Sequence, residues 1–279
     1  MGVTLALPWQ DRQGRFSGLR AVVLVGLCLP LLPLLWPWAT GTLGPEPIEE
    51  AMHETGRWAI RFLLLTLVVT PLGRILAWPR LFQVRRMLGL GALAWAVLHL
   101  GLYVVEQDFV LARVVSEIAK RTYLLIGFAA LCGLVVLGWT STDAWMRRLG
   151  RGWKRLHRLV FPVAVLALLH AFIQAKSDVS QAVLLSALLL WLLGWRALPA
   201  RWQGNLGALA GLSLAAMLGA VAVEYLWYAL ATNLPAARVA AANLDLTFGP
   251  RPAVLAGMIG LGVVALLGVW RLVGARRAA

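Results

Sequence analysis

Cysteine is almost absent from this chain: Cys28 and Cys132 are its two copies in 279 residues. Both fall inside apolar runs, and two isolated thiols exclude a disulfide scaffold or a cysteine-ligated metal centre. They are expected to be small buried side chains. Charge is also scarce, because Asp, Glu, Lys and Arg make up 14% of the residues against 61% hydrophobic. Too few polar side chains remain to cover a soluble domain of this size, which excludes a water-soluble fold. No G-x-G-x-x-G or Walker motif opens a strand–helix unit, so no dinucleotide or nucleotide domain is expected. No internal repeat or low-complexity tract stands out.

What is present is a series of apolar runs, near residues 19–40, 57–77, 87–105, 122–140, 157–175, 180–198, 205–231 and 252–273. Each is long enough to cross a hydrocarbon core of about 30 Å. The expected fold is all-α, a polytopic membrane bundle of eight helices. The first run follows Arg12, Arg15 and Arg20 as a signal peptide would. It carries Pro30, Pro33 and Pro37 and has no small-x-small cleavage site, so it is read as a retained helix. The segments after the third and seventh runs are expected to hold brief helices.

The net charge of +14 raises the question of a nucleic-acid partner, and the placement of the basic residues answers it. With the N-terminus inside, eighteen of the 26 basic residues face the cytoplasm, among them Arg12, Arg86, Arg276, Arg277 and the cluster from Arg147 to Arg158. Arg57, Arg61, Arg113, Lys120, Arg121, Lys176, Arg238 and Arg251 face outward. That asymmetry follows the positive-inside rule and puts both termini in the cytoplasm. No separate soluble domain carries the charge, so membrane lipids and not nucleic acid are the expected polyanionic contact. Trp145, Leu149, Trp153 and Leu156 stand at helical spacing among the basic residues, as in a helix lying along the inner surface.

Four histidines are present, and their positions carry the chemistry. His99 lies thirteen residues after Arg86, and His170 thirteen after His157. At roughly 1.5 Å per residue, both third and fifth helices advance about 20 Å to their histidines and bring them to one depth. A lone intramembrane histidine is as readily a hydrogen-bonded packing residue. Coincident depth favours a pair, and two imidazoles about 4 Å apart across an iron are the axial set of haem b. His157, at the inner end of the fifth helix, is a candidate ligand for a second haem. Its partner position on the third helix holds Arg85 and Arg86. The thirteen-residue interval leaves a phase mismatch of about 140°, which Pro162 can absorb. His53, Arg57 and Arg61 share one face if the second helix begins before His53. Arg57 and Arg61 are then candidates for haem propionates, or else snorkelling interfacial cations.

Ordered motifs extend this reading: GPEPIEEAMHETGRWA, LVVTPLGR, RRMLGLGALAWAVLHL, KRTYLLIGFAALCGLVVLGWTST and RRLGRGWKRLHRLVF. From about residue 40 to 198 the chain resembles the haem-binding membrane subunits of periplasmic methionine sulfoxide reductase systems, in the ferric reductase-like transmembrane family. The resemblance implies a cytoplasmic segment at 1–18, a six-helix haem-binding core at 19–198 and an extension with two further helices at 199–279. It also implies His99, His157 and His170 as haem-associated metal ligands, with Arg57, Arg61 and Arg86 beside the cofactor. One or two haems b are implied, with FMN as a possible further cofactor and no catalytic residue on this chain. Electrons would come from quinol or a cytosolic flavin reductase and pass to a periplasmic molybdopterin methionine sulfoxide reductase of the MsrP type. The broader family has paired histidines where this chain has an arginine. Thr122 and Phe161 depart from the proline and tyrosine common among relatives. The alternatives are a transporter or proton or metal relay using the intramembrane histidines, and a colourless structural anchor.

Overall fold

The computed structural model describes residues 7–11, 13–175, 178–247 and 249–278. Arg12 and Lys176, counted in the charge asymmetry, lie outside the described residues, as do the side chains of Arg276 and Arg277. The described residues are helical throughout and hold no named strand. In order the helices are α1 (Gly18–Cys28), α2 (Leu31–Thr40), α3 (Pro47–Ile75), α4 (Arg85–Glu106), α5 (Leu111–Lys120), α6 (Thr122–Trp139), α7 (Asp143–Leu149), α8 (Arg151–Leu156), α9 (Val160–Ala175), α10 (Ser180–Ala197), α11 (Leu206–Ala231), α12 (Ala236–Ala241) and α13 (Pro252–Ala278).

Among the described residues seven helices are long and apolar enough to cross a membrane, and an eighth span results if α1 and α2 are one. The two are bent by 44° at a break that holds Pro30, whose ring cannot continue a helical bond ladder. The polytopic bundle expected from the sequence is therefore the observed architecture. The brief helices expected after the third and seventh runs, α5 and α12, are also present. Cys28 and Cys132 differ from expectation: both are free and exposed, on helix faces that in a membrane protein meet lipid, where a thiol is as acceptable as in a core.

Packing divides the chain into two compact units. The first comprises Met1–Gly73 and Ala77–Ile173. α3 begins with Pro47 and acidic Glu49 and Glu50 in its first turn, both favoured at a helix start. It is the most enclosed span, with 56% of its apolar window buried. Trp58 and Phe62 of α3 meet Trp95 of α4 at ring-centre distances of 6.5 and 6.1 Å. The Trp95 indole donates to the Leu27 carbonyl at 3.0 Å, which ties α1 to α4. Small residues then let helices approach as they do in lipid: a Cβ at Gly133 of α6 would fall 2.4 Å from Val163 of α9.

The continuous surface helix expected around Trp145–Leu156 is broken. Gly150 has φ +48°, a region costly for residues with a Cβ, and it separates α7 from α8. Trp153 consequently turns inward and donates to the Thr140 carbonyl at 2.9 Å.

The second unit comprises Arg74–Leu76 and Gln174–Ala279, so α10 packs with α11 and α13. Trp195, Leu209 and Leu267 form its buried centre, with Ile75 and Leu76 packed against them. Gln203 is a hub, donating to the Leu198 carbonyl at 3.1 Å and accepting from the Arg74 guanidinium at 3.1 Å. Glu224 of α11 is buried. Its carboxylate accepts from Arg251 at 2.5 Å and from the Asn243 amide at 3.2 Å, which fastens the α11–α13 connection to α11. Arg251→Leu should strand a carboxylate whose side chain is 2% exposed and cost about 3 kcal/mol. Adding Glu224→Gln should recover most of that loss. Thermal unfolding in detergent, followed by tryptophan fluorescence, checks both, and an Arg251→Leu protein as stable as the parent would refute the role of the pair.

Candidate functional site

The first unit brings His99 of α4 and His170 of α9 together. Their ring centres are 6.2 Å apart and their planes cross at 73°. The His99 Nδ1 lies 2.7 Å from the Met52 carbonyl oxygen on α3, and the His170 Nδ1 lies 2.8 Å from the Tyr123 carbonyl oxygen on α6. A carbonyl oxygen only accepts, so each Nδ1 must carry the proton and donate. Each Nε2 is left as a bare lone pair. Two nitrogens about 4 Å apart across a metal place ring centres about 6 Å apart, so the observed separation fits one hexacoordinate iron between the pair. Second-sphere Nδ1–H donation to a carbonyl is the usual support of a metal-ligating imidazole.

His157 sits in the opposite chemical state. It occupies a 3-10 turn, His157–Leu159, between α8 and α9. Pro162 lies in the first turn of α9, where a missing N–H costs nothing. The His157 ring stacks on Trp153 at 3.9 Å, and its Nε2 lies 3.2 Å from the Thr140 hydroxyl. That hydroxyl already donates to the Val136 carbonyl at 2.7 Å, so Nε2–H is the donor to it and Nδ1 holds the lone pair. The structure thus unites His99 with His170 and leaves His157 apart from them.

The arginines fall at both ends. α3 begins well before His53, so His53, Arg57 and Arg61 share a face as the spacing anticipated. Arg57 pairs with Glu54 at 2.5 Å, and the Arg61 guanidinium lies over the Trp58 ring at 4.6 Å. Arg86 pairs with Asp143 at 2.8 Å, both half in solvent.

Around His157 lies a cavity of about 680 Å³. Its walls mix apolar Leu63 and Leu134 with Trp153, and its basic members include Arg20, Arg85 and Arg86. Arg85 has no ion-pair partner among the described residues, and the Arg20 Nε is buried without a hydrogen bond. Asp11 also lines it, and backbone N–H donation from Arg15 holds its carboxyl below the usual range. A planar aromatic group with an anionic arm matches this lining.

Sequence reasoning missed Met52, Tyr123, Thr140 and Trp153. Two of the four, Met52 and Tyr123, meet their histidines through backbone carbonyls, and a carbonyl leaves no mark on residue identity.

A helical membrane bundle with two imidazoles on neighbouring spans, ring centres 6.2 Å apart and both Nδ1 atoms bonded to carbonyls, has the outline of a bis-histidine membrane protein of the kind that holds a haem. Comparisons with known proteins agree. Residues 55–168 match the family model described as "Ferric reductase like transmembrane component". The chain is 43% identical over 164 residues to the protein-methionine-sulfoxide reductase heme-binding subunit MsrQ of Xanthomonas oryzae pv. oryzae, covering 58% of this chain and 75% of that one. It is 42% identical over 170 residues to the MsrQ of Klebsiella pneumoniae, covering 60% and 84%. The MsrQ of Xanthomonas campestris pv. campestris is 44% identical over 155 residues, covering 55% and 71%. The chain belongs to the MsrQ family of heme-binding subunits. No solved structure matches it.

The proton assignments are open to measurement. In haem-free protein labelled with 15N-histidine, His99 and His170 should resonate as Nδ1–H tautomers and His157 as the Nε2–H tautomer. An Nε2–H signal assigned to His99 or His170, by comparison with the matching alanine variants, would contradict the arrangement.

Proposed function

We propose that this protein is a haem b electron-transfer subunit. It carries electrons across the inner membrane from a quinol or flavin donor to a periplasmic molybdopterin methionine sulfoxide reductase of the MsrP type. The observation that carries the reading is the pairing of His99 with His170, ring centres 6.2 Å apart and both Nδ1 atoms held by carbonyls, backed by the relatives' name. When bound there, a haem supplies reversible one-electron exchange in an apolar setting. His99 and His170 would be the residues that hold the iron. The Met52 and Tyr123 carbonyls keep both imidazoles in the ligating tautomer and make them more basic. Arg57 and Arg61, on the helix that supplies the Met52 carbonyl, are placed to meet propionates.

On this reading both termini are cytoplasmic, which follows from the distribution of basic residues. The cavity at His157 then opens toward the cytoplasm, about 20 Å along α9 from His170, and receives electrons there. Arg20, Arg85 and Arg86 suit the anionic arm of a second haem or of FMN, and the apolar wall suits a quinol. His157 offers Nδ1, or Nε2 after its ring turns over and leaves Thr140. A second haem would accordingly be held less firmly than the first.

Transport finds less support. Among the described residues the buried acid of the apolar spans is Glu224, and Arg251 holds it in an ion pair. It is thereby removed from a free proton path.

The deciding experiment reconstitutes the chain with an MsrP-type reductase, reduces it with quinol or a reduced flavin, and adds methionine sulfoxide. Bis-histidine haem bands should appear on reduction, vanish in His99→Ala and His170→Ala, and reoxidise when the substrate arrives. A colourless protein from haem-replete cells would end the haem reading, and a reduced haem that never reoxidises would end the assigned pathway.

We further propose that 19–198 contains the haem-binding core and that 199–279 is an extension outside the haem site, because both imidazoles and their carbonyls lie in the first compact unit, although α10 packs with the extension in the second. Truncation after Ala200 should keep the haem spectrum in a chain that still inserts, and its loss there would make the extension part of the site.

A further inference from the structure

The two carbonyl contacts are one motif used twice. In the first, Met52 supplies the carbonyl, Gly56 follows one helical turn later, and His99 lies on the next long helix. In the second, Tyr123, Gly127 and His170 take the same places. Met52 and Tyr123, Gly56 and Gly127, and His99 and His170 are each 71 residues apart. The glycines are where the imidazoles touch the neighbouring helix. A Cβ at Gly56 would lie 3.0 Å from the His99 Nδ1 and 3.1 Å from its Cε1. At Gly127 it would lie 2.8 Å from the His170 Nδ1 and 2.9 Å from its Cε1. Separations below 3 Å force something to move, and neither imidazole can retreat without lengthening its bond to the carbonyl.

We infer that Gly56 and Gly127 are positioning residues that fix the depth and ring plane of His99 and His170, so that their absent side chains set the 73° crossing of the two ligand planes. The inference rests on the haem reading above. Each imidazole is held at its edge by a carbonyl and on its flank by bare glycine backbone, which leaves one orientation. A methyl group at either position would tilt the ring or push Nε2 out of line. The tighter contact at Gly127 makes that position the more sensitive. Supporting groups of this kind affect metal retention by about ten- to a hundredfold when altered.

Crossed imidazole planes leave the two iron d-π orbitals nearly degenerate, whereas parallel planes split them. The full-length ferric protein should therefore give a strongly axial low-spin electron paramagnetic resonance signal. Gly127→Ala should lose that signal to high-spin iron or retain haem about tenfold less well through purification, with Gly56→Ala changed in the same direction but less. Gly101→Ala, on the same helix as His99 with open space around it, should match the parent. A rhombic parent signal of the parallel-plane kind overturns the inference. So do two alanine variants with the parent's signal, midpoint potential and haem content. If an alanine variant fails to accumulate, the parent signal alone decides. A colourless parent overturns the haem reading itself, and haem-loaded variants with unmoved signals overturn only the role of the glycines.

Discussion

Everything at the His99–His170 pair depends on a donor meeting an acceptor that cannot reciprocate. The Met52 and Tyr123 carbonyl oxygens accept hydrogen bonds from His99 and His170 and have no proton to give, which decides the tautomer of both rings. Each such bond contributes only about 1 kcal/mol net in ordinary surroundings, but its cost if left unmade is larger in an apolar interior. The same bonds register α4 against α3 and α9 against α6, so helix packing and ligand chemistry are settled by the same contacts. In a membrane this is economical, since helices there associate through close contact and hydrogen bonding more than through exclusion of water.

The surroundings of His157 follow a different logic. His157 contacts an indole and a hydroxyl in place of a backbone carbonyl, and the cavity beside it is rimmed by arginines with spare donors. The pair Arg86–Asp143 at its edge is largely solvated, and such pairs contribute little. His99 and His170 are each tied to a backbone carbonyl of a neighbouring helix, whereas His157 borders a cavity.

Much of this was legible before any coordinates. Run lengths and charge scarcity require a polytopic bundle, because in lipid only intrahelical bonding satisfies every backbone group of a single span. The equal intervals from Arg86 to His99 and from His157 to His170 anticipated the pairing, because a helix converts residue count to depth. What escaped was whatever depends on neither identity nor periodicity. Gly150 looked like one more small residue in a basic amphipathic stretch, and its positive φ, visible only in three dimensions, swings Trp153 from the surface onto His157. The duplicated cradle was hidden because its two copies share a glycine and a histidine and little else. MHETG and YLLIG have no common polar pattern, and the acceptors are main-chain atoms.

The near-equivalence of the two cradles bears on how a porphyrin would lie between them. A protohaem has two distinguishable faces, because its vinyl groups break the symmetry of the ring, and inverting it exchanges which imidazole meets which face. His99 and His170 present the same atom, backed by the same kind of carbonyl and flanked by the same bare glycine, so the axial ligands cannot tell the two insertions apart. Discrimination would fall to unlike neighbours, since Trp58, Phe62 and Trp95 cluster between α3 and α4 while Tyr123 stacks on His170. Two insertion isomers would be the consequence of a site assembled from two like halves.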